Sequence, residues 1–142
     1  MKTLPILSAL FLLVLLSGCN KNTELTGDSS FSLNDTLKLA IHKSAINNEK
    51  QLTIRIDSVL NDSRCPMDVE CIWEGNAEVR FLFNNTGVET KFVLNTHGGN
   101  SFRSDTIIDG YSIQLVKLQP YPVSTKVISN DEYVAELLIK KK

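Results

Sequence analysis

The chain is predicted to be all-β: an antiparallel β-sandwich of Ig-like type, or a partly open barrel, of about 6–8 strands. Two observations carry this expectation. Apolar residues alternate with polar ones at a period of two in segment after segment, the pattern of strands with one buried face. Turn-forming residues separate those segments, and no stretch shows convincing helical periodicity.

The first segment is FSLNDTLKLAI, which places Phe31, Leu33, Leu37, Leu39 and Ile41 on one face. LTIRIDSVL follows, with Leu52, Ile54 and Ile56 in phase and Val59 out of phase. A one-residue change of parity is what a β-bulge produces, so a bulge is expected near Asp57 or Ser58. AEVRFLF sets Ala77, Val79, Phe81 and Phe83 against Glu78 and Arg80. NNTG, residues 84–87, is a hairpin signal, after which VETKFVLN resumes with Val88, Thr90, Phe92 and Leu94. HGGN breaks the chain at 97–100. YSIQLVKL contributes Tyr111, Ile113 and Leu115, and EYVAELLI contributes Tyr133, Ala135, Leu137 and Ile139. The last segment holds good helix formers, yet it follows the Pro-rich QPYPVSTKVI and ends in a branched apolar run, which favours strand.

The region ahead of Phe31 has a different character. Lys2 precedes an apolar run over residues 4–16, and LSGC (Leu16, Ser17, Gly18, Cys19) follows it directly. That is the layout of a secretory signal peptide, and its ending in Cys resembles the bacterial lipobox. The run is short for a membrane span, which takes about 20 residues. The expected product is cleaved before Cys19 and carries lipid, palmitate included, on Cys19. Several acyl chains hold a protein firmly, since each buried methylene contributes ~0.8 kcal/mol. Residues 20–30, NKNTELTGDSS, are polar and read as a flexible tether. Three parts follow: a signal peptide at 1–18, a lipidated tether at 19–30, and one β-domain at 31–142. Asn20 is not the Asp that resembles an inner-membrane retention signal, so a lipid-anchored place at the outer membrane is expected, facing either side.

Composition narrows the function classes. Fifteen basic and 16 acidic residues give a net charge of −1, and about −2 once Lys2 is removed. With no basic stripe and an exported chain, nucleic-acid binding has no support. Serines occur without a G-x-S-x-G elbow, and no Gly-rich phosphate loop joins a strand to a helix. Asp57, Asp62, Asp105 and Asp109 read as turn residues rather than as a converging catalytic pair. The expectation is a non-enzyme without a cofactor.

One stretch concentrates chemistry: DSRCPMDVECIWEG, residues 62–75, with two of the three cysteines and the only tryptophan. A redox-active thiol favours Cys-x-x-Cys at a helix N-terminus, whereas PMDVE separates Cys65 from Cys71 and contributes two acids that raise thiol pKa. A metal site of Cu or Zn type needs further ligands, for which only His42 and His97 are available, both far away in sequence. In an oxidising compartment a Cys65–Cys71 disulfide is the favoured reading. It would fix an irregular crossover between two strands, with Trp73 packed on the bridge and Arg64, Asp68 and Glu70 facing water. Arg64, Asp68, Glu70 and Trp73 are then the candidate interaction loop.

The segment DSRCPMDVECIWEGNAEV also resembles the signature of a group of small, mostly uncharacterised lipoproteins of diderm bacteria. Their pattern runs Asp-Ser-Arg-Cys-Pro, about four variable residues, Cys, an aromatic or polar position, then Gly-x-Ala and a strand. LTIRIDSVL and QPYPVSTKVISNDEYVAEL are similar too, so the likeness covers most of residues 37–139. Glu74 departs from it, standing where a small residue is expected. The resemblance implies an exported β-domain and carries no catalytic residues. The functional expectation is a membrane-anchored, non-catalytic accessory domain that binds an envelope protein or a small ligand. The alternatives are an inhibitor of an extracellular enzyme that uses the loop as a wedge, or a periplasmic metal-binding protein.

Overall fold

The computed structural model describes residues 28–99 and 102–142. The signal peptide at 1–18, the lipidation site Cys19 and the tether up to residue 27 lie outside the described residues. Within them the chain forms nine strands: β1 (Ser29–Ser30), β2 (Thr36–Ala40), β3 (Ser44–Asn47), β4 (Leu52–Asp62), β5 (Ala77–Asn85), β6 (Val88–Asn95), β7 (Asp105–Ile108), β8 (Tyr111–Gln119) and β9 (Val134–Lys141). A three-residue 3₁₀ turn, Asn130–Glu132, is the only helical element among the described residues.

Two sheets face each other across one core. One has the order β1-β3-β4-β5-β6 and the other β2-β9-β8-β7, and every pairing is antiparallel except β1 with β3. Two separate sheets make a sandwich, and the barrel alternative falls away. The expected alternation supplies the packed faces: Leu52, Ile54 and Ile56 of β4, Val79, Phe81 and Phe83 of β5, Ile113 and Leu115 of β8, and Leu137 and Ile139 of β9 are all buried. Phe81 stacks on Phe92 of β6, with ring centroids 5.6 Å apart, and Phe83 meets Tyr111 across the sandwich at 5.9 Å. Burying a side chain of this size contributes about 1.5–3 kcal/mol.

The parity shift in β4 is a register irregularity between Ile56 and Ser58, as expected, and a second follows between Val59 and Asn61. A third lies in β8 between Leu115 and Lys117, and it turns Leu118 inward although Leu118 stands three residues after Leu115. Three strands, β1, β3 and β7, lie outside the expected segments. β3 is four residues long and contributes Ala45 and a buried polar Asn47, while β7 is a short, half-exposed edge strand. Asp105 therefore opens a strand rather than a turn. The sheet also takes in Ser29 and Ser30, which the sequence reading gave to the tether. Asn47 explains why: its side-chain amide donates to the Phe31 carbonyl at 2.9 Å and fastens the entering chain.

Turns and loops divide cleanly between the two ends. The β5–β6 turn (Thr86, Gly87) and the β7–β8 turn (Asp109, Gly110) each have two residues of positive φ, the geometry that suits a two-residue hairpin. These turns share one end with the β3–β4 connection. The opposite end holds the long loops 63–76 and 120–133, the described residues 96–99 and 102–104, and the β2–β3 turn, because β4, β6 and β8 finish there and β5, β7 and β9 start there. Loops gathered at one end of a rigid sandwich are where binding is usually placed.

Candidate functional site

The Cys–Trp stretch forms the centre of the long-loop end. Past the last β4 residue the two legs of the loop stay in register. Ser63 donates its N–H to the Asn76 carbonyl at 2.8 Å, and Cys65 donates to the Glu74 carbonyl at 2.8 Å. The legs come this close only because Gly75 has no side chain. Its φ is +74°, and a Cβ there would lie 1.9 Å from the Ser63 carbonyl oxygen. The disulfide Cys65–Cys71 closes the loop with a Cα separation of 6.0 Å. In the chain-entropy model a seven-residue loop contributes ~2–2.5 kcal/mol by this closure.

Arg64 corrects the sequence reading. It was expected in water, yet it is 6 % exposed. Its Nε and Nη2 donate to the two carboxylate oxygens of Asp62 at 2.8 and 2.6 Å. Nη1 donates to the Leu118 carbonyl at 2.6 Å, and Nη2 also reaches the Pro120 carbonyl at 2.9 Å. The guanidinium lies 5.0 Å from the centre of the Tyr121 ring. Tyr133, at the start of β9, donates its hydroxyl to Asp62 at 3.1 Å. A planar fork of donors can satisfy a carboxylate and two carbonyls together, which Lys cannot do. One side chain thus ties the end of β4 to the end of β8, and through Asp62 to β9.

Electrostatics match the geometry. Burial opposes ionisation of Asp62 more than any other single influence, but the hydrogen bonds and charge of Arg64, with help from Tyr133, hold its carboxyl below the usual range. Burial, reinforced by the Asp62 charge, pushes the Tyr133 hydroxyl up to about 12. Both groups keep the charge state that the network needs across the ordinary pH range.

The loop is also fastened along its outer side. Asp68 accepts from the Ser124 amide at 2.8 Å and from the Ser124 hydroxyl at 2.5 Å, and these bonds lower its carboxyl pKa. Met67 donates its N–H to the Pro122 carbonyl at 3.0 Å. The stapled loop and the 120–133 loop are therefore one docked unit. Asp68 remains exposed, but its carboxylate is occupied by Ser124, whereas Glu70 is exposed and has no side-chain partner among the described residues.

Trp73, expected on the disulfide, keeps 59 % of its surface exposed. Ile72 beside it is fully exposed, Met67 is 68 % exposed and Val69 46 %. Met67, Val69 and Ile72 thus join Trp73 at the tip; in the sequence they show only as apolar residues interleaved with acids in a loop segment. Beside this tip runs a groove of about 230 Å³, lined among others by Arg64, Glu74, His97, Lys117 and Tyr121. Glu74 and the His97 imidazole approach to 3.4 Å. Beneath them the Asn76 amide donates to the Asn95 side-chain oxygen at 2.7 Å, and Asn76 accepts from the His97 N–H at 3.2 Å.

The metal alternative loses its sulfur ligands to the disulfide. No group of three or more His, Cys, Asp or Glu suited to a metal occurs among the described residues. Of the four aspartates, Asp57 lies in β4 and pairs with Arg80 at 2.7 Å, Asp62 pairs with Arg64, and Asp109 alone sits in a turn. Arginines thus engage Asp57 and Asp62 separately. The chain matches no protein-family model, and comparison with curated proteins and with solved structures likewise gives no match.

Proposed function

We propose that the chain is a lipid-anchored, non-catalytic binding domain of the bacterial outer membrane, which engages an envelope partner through the stapled loop. Cys19 carries the lipid, and the polar tether of about ten residues, spanning at most ~35 Å, holds the sandwich near the bilayer. One observation carries the reading: Met67, Val69, Ile72 and Trp73 are exposed together on a loop that a disulfide and a buried Arg–Asp pair hold still. Exposed apolar side chains on a pre-ordered loop suit binding, because little conformational freedom is left to lose on association. Tryptophan is also among the residues that dominate interface energetics.

The test has two arms on the full-length chain. Palmitate labelling checks the anchor and should vanish in Cys19→Ser. Gentle cross-linking in intact envelopes should give a complex that I72S/W73S no longer forms. The reading fails if wild type forms no complex, or if the purified protein turns over an envelope substrate and one side-chain change abolishes that activity.

A further inference from the structure

The tip has a charge as well as an apolar character. Between Cys65 and Gly75 the chain alternates apolar and acidic residues, with Asp68, Glu70 and Glu74 exposed beside Met67, Val69, Ile72 and Trp73, and it contains no Lys or Arg. Two cations at this end are engaged, Arg64 with Asp62 and Lys126 with Glu132, while exposed Lys117 and Arg103 lie outside the loop, Lys117 lining the groove beside Glu74. The loop itself, residues 65–75, is therefore apolar and anionic together, on a base that the Asp62–Arg64–Tyr133 network makes rigid.

That combination discriminates among occupants. Two copies meeting tip to tip would bring six carboxylates into one interface, and like charges facing each other oppose association. A bilayer surface with anionic headgroups repels the same acids, and no Lys or Arg within 65–75 is there to meet phosphate. A protein with a cationic rim around an apolar concavity satisfies both characters. Its floor takes Ile72 and Trp73, and its Lys or Arg residues meet Glu70 and Glu74. We infer that the partner of the stapled loop is a protein presenting an apolar cleft rimmed by basic residues, with the loop entering it as a wedge. This rests on the reading that the loop end binds a protein, and it names that partner's surface chemistry. Such an interface separates two roles. The acids accelerate encounter by steering, and the apolar tip slows dissociation once docked.

The experiment places a photo-cross-linking amino acid at Ile72 of the full-length chain in its own envelope, then identifies the adduct. The expected product is a single protein adduct. Binding of that purified protein should weaken at least tenfold between low and physiological salt. E70K/E74K should lower the association rate about tenfold and leave dissociation nearly unchanged. I72S/W73S should raise the dissociation rate at least 30-fold. All four side chains are exposed, so the variants should keep the wild-type circular dichroism. An adduct to lipid, to a second copy, or no adduct overturns both the inference and the binding reading. A protein adduct whose binding ignores salt and tolerates E70K/E74K overturns the inference alone.

Discussion

Replacing Arg64 by Ala should remove more stability than any other single change at the loop end that leaves the backbone unstrained. The side chains of Arg64 and Asp62 are 4 % and 10 % exposed, so the pair is effectively out of water. Deleting one member of such a pair leaves an uncompensated charge and costs about 3–5 kcal/mol. The Leu118 and Pro120 carbonyls also lose donors at 2.6 and 2.9 Å. Each such loss costs about 1–3 kcal/mol where water cannot replace the donor, but the vacated space is polar and can admit water. The expected total is about 4 kcal/mol, against the 5–15 kcal/mol typical of a whole domain. Urea unfolding followed by far-UV circular dichroism reads this directly. With a slope near 2 kcal/mol per molar urea, the midpoint falls by about 2 M. Arg64→Lys keeps the charge but loses the fork, and should recover less than half of the loss. D62A/R64A should be more stable than the sum of the single losses requires, because no unpaired charge remains. A cost below 1 kcal/mol for R64A would refute the reasoning, since that is the behaviour of a solvent-exposed ion pair.

Further outcomes follow from the same geometry. C65S/C71S should lose ~2–2.5 kcal/mol, and the wild-type chain should titrate no free thiol at 65 or 71 under denaturing conditions without reductant. Gly75→Ala should fail to fold or lose more than 3 kcal/mol, because its Cβ would stand 1.9 Å from the Ser63 oxygen in a left-handed backbone. On the acid side, Asp62 has a folded pKa below its unfolded value near 4. Its contribution is present above about pH 4 and is lost as pH falls through the folded value. On the alkaline side, Tyr133 titrates at about 12 when folded, so its contribution is present below about pH 10 and is lost as pH rises toward 12. Tyr133→Phe should abolish the alkaline loss while retaining the acid one, as read by denaturation midpoints across pH.

Alternation carried most of the fold into view. It located six of the nine strands and, through the parity of Val59, the first β4 bulge. β3 escaped because four residues, one of them a buried Asn47, give too little alternation to register. β7 escaped although Asp109-Gly110 is a hairpin signal, because its inward residues are only half-buried at an edge. The Cys65–Cys71 pairing was legible from the expected compartment and the cysteine count, while the roles of Arg64 and Asp62 were not. An Arg in a polar loop is ordinarily solvated, and the two carbonyls that hold this one lie 54 and 56 residues away.

The strand-rich architecture, the candidate export signal and the loop that holds the cysteines and tryptophan are all legible in the chain alone, because periodicity and local motifs are written in neighbouring residues. Which of the loop's side chains are spent inside and which are left outside depends on the folded arrangement. Arg64 and Asp62 went inward because β8 and β9 bring a carbonyl pair and a phenol to the end of β4. Ile72 and Trp73 stayed outward on the stapled loop. Burial depends on what distant segments bring near, and that is set by the packing of the two sheets.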